Sequence, residues 1–122
     1  MKGVRVSLEN FDEKLNESIA TGNPVFVLFF GTEVPETSES WCPDCVIADP
    51  LIRKAISPIE NAILLEAPVG ARNEWKGNTT HPYRVRFGLS AIPTLFKWTK
   101  VCIMFICIYF LADPVSLGGP WC

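Results

Sequence analysis

Two thiols three positions apart, in Trp41-Cys42-Pro43-Asp44-Cys45, are the residues best placed to do chemistry. On the first turn of a helix, positions i and i+3 share a face. Such a pair reaches disulfide geometry, with Cα atoms about 5–6 Å apart. A thiolate at a helix start is stabilised by unpaired N–H groups and by the positive end of the dipole. In motifs of this kind a thiol pKa falls from about 8.5 to about 7 or lower. Cys42, leading the helix, is therefore the candidate nucleophile. Cys45, deeper and one turn on, is the candidate resolving thiol that closes a redox-active Cys42–Cys45 disulfide. Pro43 suits the first helical turn, where its missing N–H costs nothing. Asp44 favours the same turn but opposes a neighbouring thiolate by like charge, so Cys42 is expected to be less acidic than beside a neutral residue. Trp41 reads either as a wall of the substrate surface beside Cys42 or as ordinary core packing.

A C-x-x-C is also half of a zinc site, which needs four ligands, usually in two pairs. The remaining candidates are Cys102 and Cys107, in the apolar run 101–112, and His81. Five positions along a strand put Cys102 and Cys107 on opposite faces. They read as plain buried thiols, His81 before Pro82 reads as a loop residue, and no metal is expected. Ile92-Pro93 is a candidate substrate-binding turn with Trp41. If cis, such a turn opposite the thiols offers backbone groups to an extended substrate and keeps metal from the sulfurs. The sequence does not fix the isomer.

The elements that must position these residues alternate in type. Residues 4–8 alternate apolar and polar, as in a short strand. Asn10 is an expected N-cap with Glu13 as capping-box partner, and Phe11, Leu15 and Ile19 form the stripe of a helix that ends at Gly22. Val25–Phe30 is a continuous apolar run, as in a strand covered on both faces. A polar loop, 31–40, precedes a helix beginning just after Cys42. Its apolar positions are Val46, Ile47, Leu51, Ile52, Ala55 and Ile56, with Pro50 inside it and Pro58 at its end. A strand at 62–67, a loop-rich stretch at 70–82, a short helix at 83–87 closed by Gly88 and a strand at Thr94–Trp98 follow. The β-α-β-α-β-α-β order predicts an α/β fold with a mixed sheet flanked by helices.

Length and charge narrow the function further. A chain of 122 residues, 48% apolar and 20% charged, is one ordinary globular domain. A net charge of −2 without any basic run gives a nucleic-acid role little support. The start Met1-Lys2-Gly3-Val4-Arg5-Val6 lacks a secretory pattern, so a reducing, cytoplasmic setting is expected. The run 101–112 is shorter than the roughly 18–20 residues a helix needs to span a bilayer, so membrane attachment is not expected.

WCPDC after VFVLFF, Pro50 after Cys42 and the late Ile92-Pro93-Thr94 resemble the thioredoxin superfamily. Three features make the chain similar to the thioredoxin domain-containing protein 17 (thioredoxin-related protein) family in particular. The motif is WCPDC where ordinary thioredoxins have WCGPC. The loop 31–40 is long where theirs is almost absent. Val69-Gly70 and Glu74-Trp75-Lys76 match the family's segment after the third strand. The likeness covers about residues 1–98. It implies a thioredoxin-like fold and a reductase of protein and small-molecule disulfides, with Cys42 as nucleophile and Cys45 as resolving thiol. Pro43 and Asp44 would tune its redox potential. No cofactor would be bound, since electrons come from NADPH through thioredoxin reductase. The resemblance further implies peroxidase activity, a role in cell redox homeostasis and a dynein light chain as partner. The buried acid of ordinary thioredoxins has no counterpart in Val25–Phe30, so the Cys45 proton must leave by water or another group.

The C-terminus departs from that pattern. A thioredoxin-like domain is expected over 1–100, followed by a divergent apolar segment, 101–122, able to supply an edge strand. Nothing there replaces the family's final amphipathic helix, which would leave one sheet face under-covered. The rival function is a non-catalytic, redox-sensitive interaction module whose activity the altered tail compromises.

Overall fold

The computed structural model describes residues 1–98 and the backbone of one further strand at 105–108. In chain order the elements are β1 (Lys2–Arg5), α1 (Phe11–Ala20), β2 (Val25–Phe30), α2 (Pro43–Ile56), β3 (Ile63–Pro68), α3 (Arg72–Trp75), α4 (Pro82–Phe87), β4 (Thr94–Trp98) and β5 (Phe105–Ile108). The sheet order is β1-β3-β2-β4-β5. β3 runs parallel to β1 and β2, whereas β4 is antiparallel to β2 and β5 antiparallel to β4. This is the expected thioredoxin-like α/β architecture with a mixed sheet.

Every residue of β2 is buried, as its unbroken apolar run predicts for a strand covered on both faces. Successive side chains of β2 serve different layers. Phe29 joins Phe11 of α1, Tyr83 and Phe87 of α4 and Phe96 of β4 in an aromatic cluster, with centroids 4.9–6.3 Å from Phe29. Leu28 and Phe30 face the other way, towards a cleft they share with Cys45 and Ile52 of α2.

Several boundaries and faces differ from expectation for local reasons. The first strand is β1, not residues 4–8, because a turn follows it at once. Ser7 N–H donates to Asn10 Oδ1 at 2.7 Å, and Asn10 N–H donates to Ser7 Oγ at 3.2 Å. That engagement leaves the Asn10 side chain without a bond into α1, so the capping box with Glu13 does not form. Phe11 and Leu15 are buried as expected, Ile19 only partly, and Ser18 joins the stripe with its hydroxyl donating to the Lys14 carbonyl at 2.8 Å.

In α2 the buried stripe is Cys45, Ala48, Ile52 and Ile56. Of the expected apolar positions, Ile47 and Leu51 are 50% and 49% exposed, Ala55 is exposed and Val46 half-buried. Cys45 sets the phase, and at 3.6 residues per turn positions 47, 51 and 55 turn away from the sheet. The stretch expected to be loop contains the helical turn α3, whose Trp75 is fully buried beneath the Arg84 guanidinium, 3.7 Å from the ring centre. β5 lies within the apolar run and forms the sheet edge beside β4. The expected absence of a final helix, and the division of the chain at residue 100, fall outside the described residues. Among the described residues, no helix is long and apolar enough to cross a membrane.

Candidate active site

The site is built where β2 ends. The chain leaves Phe30 through Gly31 and Thr32 and makes a closed loop before it returns to Trp41. A bridge pairs Glu33 with Ser40, Val34 N–H donates to Glu39 O at 2.8 Å, and Ser38 N–H donates to Val34 O at 2.8 Å. Thr32 fixes this loop to the end of β3 twice. Its N–H donates to Gly70 O at 3.1 Å, and its hydroxyl accepts from Gly70 N–H at 3.0 Å. The Trp41 indole adds a third link, donating to the same Gly70 carbonyl at 2.8 Å. A Cβ on Gly31 would lie 2.7 Å from Trp41 Cε2 and 2.9 Å from Ser40 Oγ, so only glycine allows the return strand to close this tightly. Trp41 is half-buried against that backbone and walls an open groove of about 620 Å³ with Val34, Pro35, Arg72 and Lys76.

Cys42 takes the N-cap of α2, with extended backbone (φ −93°, ψ 110°) and Pro43 as the first helical residue. Its Sγ accepts from Cys45 N–H at 3.2 Å, an orphan donor of the first turn pointed at the sulfur. Its own N–H donates to Ser40 Oγ at 3.1 Å. Across the site, Ile92 O lies 4.0 Å from Cys42 Sγ, and the Ile92–Pro93 peptide bond is cis. The turn expected opposite the thiols is thus in place, with its carbonyl against Cys42, while Pro93 lines the cleft beside Cys45.

The expectation that Cys45 lies deeper is corrected: Cys42 is 0% exposed and Cys45 3%. Ile92 O approaches Cys42 Sγ from one side and the first turn of α2 meets it with the Cys45 N–H. Cys45 carries a free thiol, so no bond joins the two sulfurs. Burial pushes the Cys45 thiol up to about 12. Hydrogen bonds from Gly31 N–H and the Ser40 hydroxyl pull the other way, and the Asp44 and Asp49 carboxylates add to the rise. Asp44 thus exerts a like-charge effect on Cys45.

His81 lies in the loop before α4, as expected, but it is buried. It is 4% exposed and caps α4, its Nδ1 accepting from Tyr83 N–H at 3.1 Å, which leaves Nε2 to donate to Val69 O at 2.7 Å. Among the described residues, no group of three or more His, Cys, Asp or Glu side chains is arranged to hold a metal.

The structure brings Cys42, Cys45, Ile92 and Pro93 together, with Trp41 on the flank. It adds three features that the sequence reading passed over. Gly31 and Ser40, the two ends of the loop, both reach Cys45. The cleft beside Cys45, about 310 Å³, carries Glu33, Glu39, Asp49 and Arg53 on its walls. The available signal was position alone: a glycine ending an apolar strand and a serine two residues before the helix cap.

Comparison with known proteins is consistent across sequence and structure. The family described as thioredoxin domain-containing protein 17-like, thioredoxin domain, matches residues 5–103. The thioredoxin-like protein Clot of Arabidopsis thaliana is 43% identical over 60% of this chain and 56% of its own length, so the chain spans little more than half of that relative. Thioredoxin domain-containing protein 17 of Mus musculus is 33% identical over 76% of this chain and 73% of its own. Among solved structures, oxidised thioredoxin O1 of Arabidopsis thaliana superposes with a TM-score of 0.60 at 18% identity, covering 96% of this chain and 92% of that one. At that identity the likeness concerns the fold.

Proposed function

The chain belongs to the thioredoxin domain-containing protein 17-like family of thioredoxin domains, and on that premise we propose that it reduces protein and small-molecule disulfides through Cys42 and Cys45. The observation that carries the reading is Cys42 Sγ at the α2 N-cap, accepting the Cys45 N–H at 3.2 Å. In the reduced protein that donor and the dipole favour a thiolate on Cys42. The thiolate attacks one sulfur of a substrate disulfide and forms a mixed disulfide, and the other substrate sulfur leaves as a thiolate and takes a proton from water. Cys45, deprotonated, then attacks Cys42 Sγ. A Cys42–Cys45 bond forms, and the second substrate thiolate departs. The substrate gains two electrons and the pair loses two, which thioredoxin reductase returns from NADPH. A peroxide takes the same route: Cys42 becomes a sulfenic acid, and condensation with Cys45 releases water. Pro43 and Asp44 tune the couple, and Trp41, Ile92 and Pro93 form the substrate-facing wall. A dynein light chain as partner and a cytoplasmic location complete the reading.

The zero exposure of Cys42 favours a second reading, in which the fold serves as a redox-sensitive interaction module without turnover. For a catalyst, the same burial implies that cover over Cys42 must move before a substrate arrives. Oxidation of NADPH by thioredoxin reductase, coupled through this chain to cystine or insulin, separates the two. Turnover by the wild type that falls to background in Cys42→Ser supports the reductase; an inactive wild type refutes it.

A further inference from the structure

Beside Trp41, whose backbone leads straight into Cys42, lies the open groove of about 620 Å³. Its two sides, the loop 31–40 and α3, are fastened to each other. Thr32 and the Trp41 indole make three hydrogen bonds to Gly70, at 3.1, 3.0 and 2.8 Å. α3 is anchored by Trp75, fully buried under the Arg84 guanidinium. A groove held in this way exists before a ligand arrives, so little ordering is lost on binding.

Four charged side chains line it: Glu33, Arg72, Glu74 and Lys76. Both acids are already engaged. Arg5 donates to Glu33 through two nitrogens, at 3.1 and 2.7 Å, and Glu74 Oε1 accepts Ala71 N–H at 2.8 Å. The two cations are not. Among the described residues neither Arg72 nor Lys76 has an ion pair, and Arg72 is exposed. This runs against a chain whose net charge is −2. It also runs against the other flank of the thiol pair. The cleft beside Cys45 carries Glu33, Glu39 and Asp49 with one cation, Arg53, and Asp49 and Glu66 hold that cation at 2.9 and 2.8 Å.

We propose that the groove beside Trp41 receives an acidic segment of a protein substrate, next to the disulfide that Cys42 attacks, with Arg72 and Lys76 as its charge partners. The inference rests on the reductase reading above and names the substrate class. A segment with Asp or Glu close to its cysteine lays those carboxylates against the two open cations and its backbone along Val34, Pro35 and Trp41. A basic segment finds no open carboxylate there. Complementary charge of this kind acts on encounter and on the choice of partner.

Three peptides of equal length test it, with Glu-Glu, Gln-Gln or Lys-Lys before a cysteine that carries a 2-thiopyridyl disulfide. The Cys42 thiolate of the reduced full chain attacks the peptide sulfur, a Cys42–peptide bond forms, and pyridine-2-thiolate leaves with the electron pair and takes a proton from water. Its absorbance gives the second-order rate constant, which is divided by that of each peptide with 2-mercaptoethanol. Exposed ion pairs are individually weak, so the two together are expected to favour the Glu-Glu peptide over the Gln-Gln peptide about fivefold at low salt. Salt screens exposed charges, with a Debye length of about 3 Å at 1 M, so the ratio should fall towards one there. It should fall likewise in Arg72→Gln/Lys76→Gln, and Arg72→Lys should keep most of it. A wild-type ratio of one or less overturns the proposal and leaves the reductase reading intact. So does a fivefold ratio that survives the double substitution, or faster reaction of the Lys-Lys peptide, as the net charge alone would give. A dimer in sedimentation that the double substitution dissolves also overturns it, since the groove then serves a second copy. If the double variant fails to fold, the wild-type ratio and its salt dependence still decide. A wild type that reacts no faster than Cys42→Ser with any peptide overturns the reductase reading itself.

Discussion

The thiol pair is approached from two sides of different chemistry. The loop 31–40 comes in over Cys45 with donors, Gly31 N–H and Ser40 O–H, and is stitched to β3 through Thr32 and Gly70. The Ile92–Pro93 turn comes in over Cys42 with an acceptor, the Ile92 carbonyl at 4.0 Å, on a fully buried apolar side chain. Donors stabilise negative charge and a carbonyl does not. One wall therefore favours ionisation of Cys45 against its burial. The other leaves Cys42 to the helix start and, on the proposed reading, presents the backbone oxygen to an extended substrate.

If the loop wall is the tighter of the two, it should tolerate added volume least. Gly31→Ala puts a methyl 2.7 Å from the Trp41 ring. Overpacking of this kind costs about 1–3 kcal/mol, and the upper part of that range is expected because the ring is itself tied to Gly70. Urea denaturation measures it. Ile92→Val, on the opposite wall, removes one methylene from a side chain with no exposure and should cost about 0.5–1.5 kcal/mol. It should leave the pH profile of the resolving step where it is, since Ile92 offers Cys45 no donor. A larger loss from Ile92→Val than from Gly31→Ala would reverse the ranking of the two walls.

The contrast also separates what the sequence could say from what it could not. Periodicity and cap chemistry act over a few residues, so the β2 run, the start of α2 at Cys42 and the Gly88 terminus, left-handed at φ +66°, were legible. The Ile92–Pro93 turn was legible because proline marks itself. The loop wall was not. Thirty-eight residues separate Thr32 from Gly70, and no local pattern announces that pairing. The face of α2 was misread for a related reason: Ile47 and Leu51 are more apolar than Ala48, yet Cys45 under the sheet fixes the helix phase and turns them outward. Hydrophobicity picked out Ile52 and Ile56 of the four buried positions, and tertiary contact decided the other two, Cys45 and Ala48.

The smallest expected effect probes how the loop wall is held from outside. Arg5 of β1 grips Glu33 with two nitrogens, at 3.1 and 2.7 Å, and also meets Glu66 at 3.4 Å, while Arg53 of α2 reaches Glu66 at 2.8 Å and Asp49 at 2.9 Å. The Arg5 hydrogen bond first, then a backbone hydrogen bond and the Arg5 charge, hold the Glu33 carboxyl below its ordinary value of 4.5 in spite of partial burial. A carboxylate whose folded pKa is depressed stabilises the fold above its unfolded pKa and loses that contribution as pH falls through the folded one. Both partners are more than a third exposed, at 47% and 36%, so water and salt screen the pair. Its removal in Glu33→Gln should cost no more than about 1 kcal/mol at neutral pH. Urea midpoints of the two proteins should therefore differ near neutrality and converge as pH falls below 4.5, because a protonated Glu33 is electrically equivalent to the glutamine. A gap that stayed constant through that range would mean that Glu33 supports the loop by shape and not by charge. The link from β1 to the wall over Cys45 would then be a matter of packing.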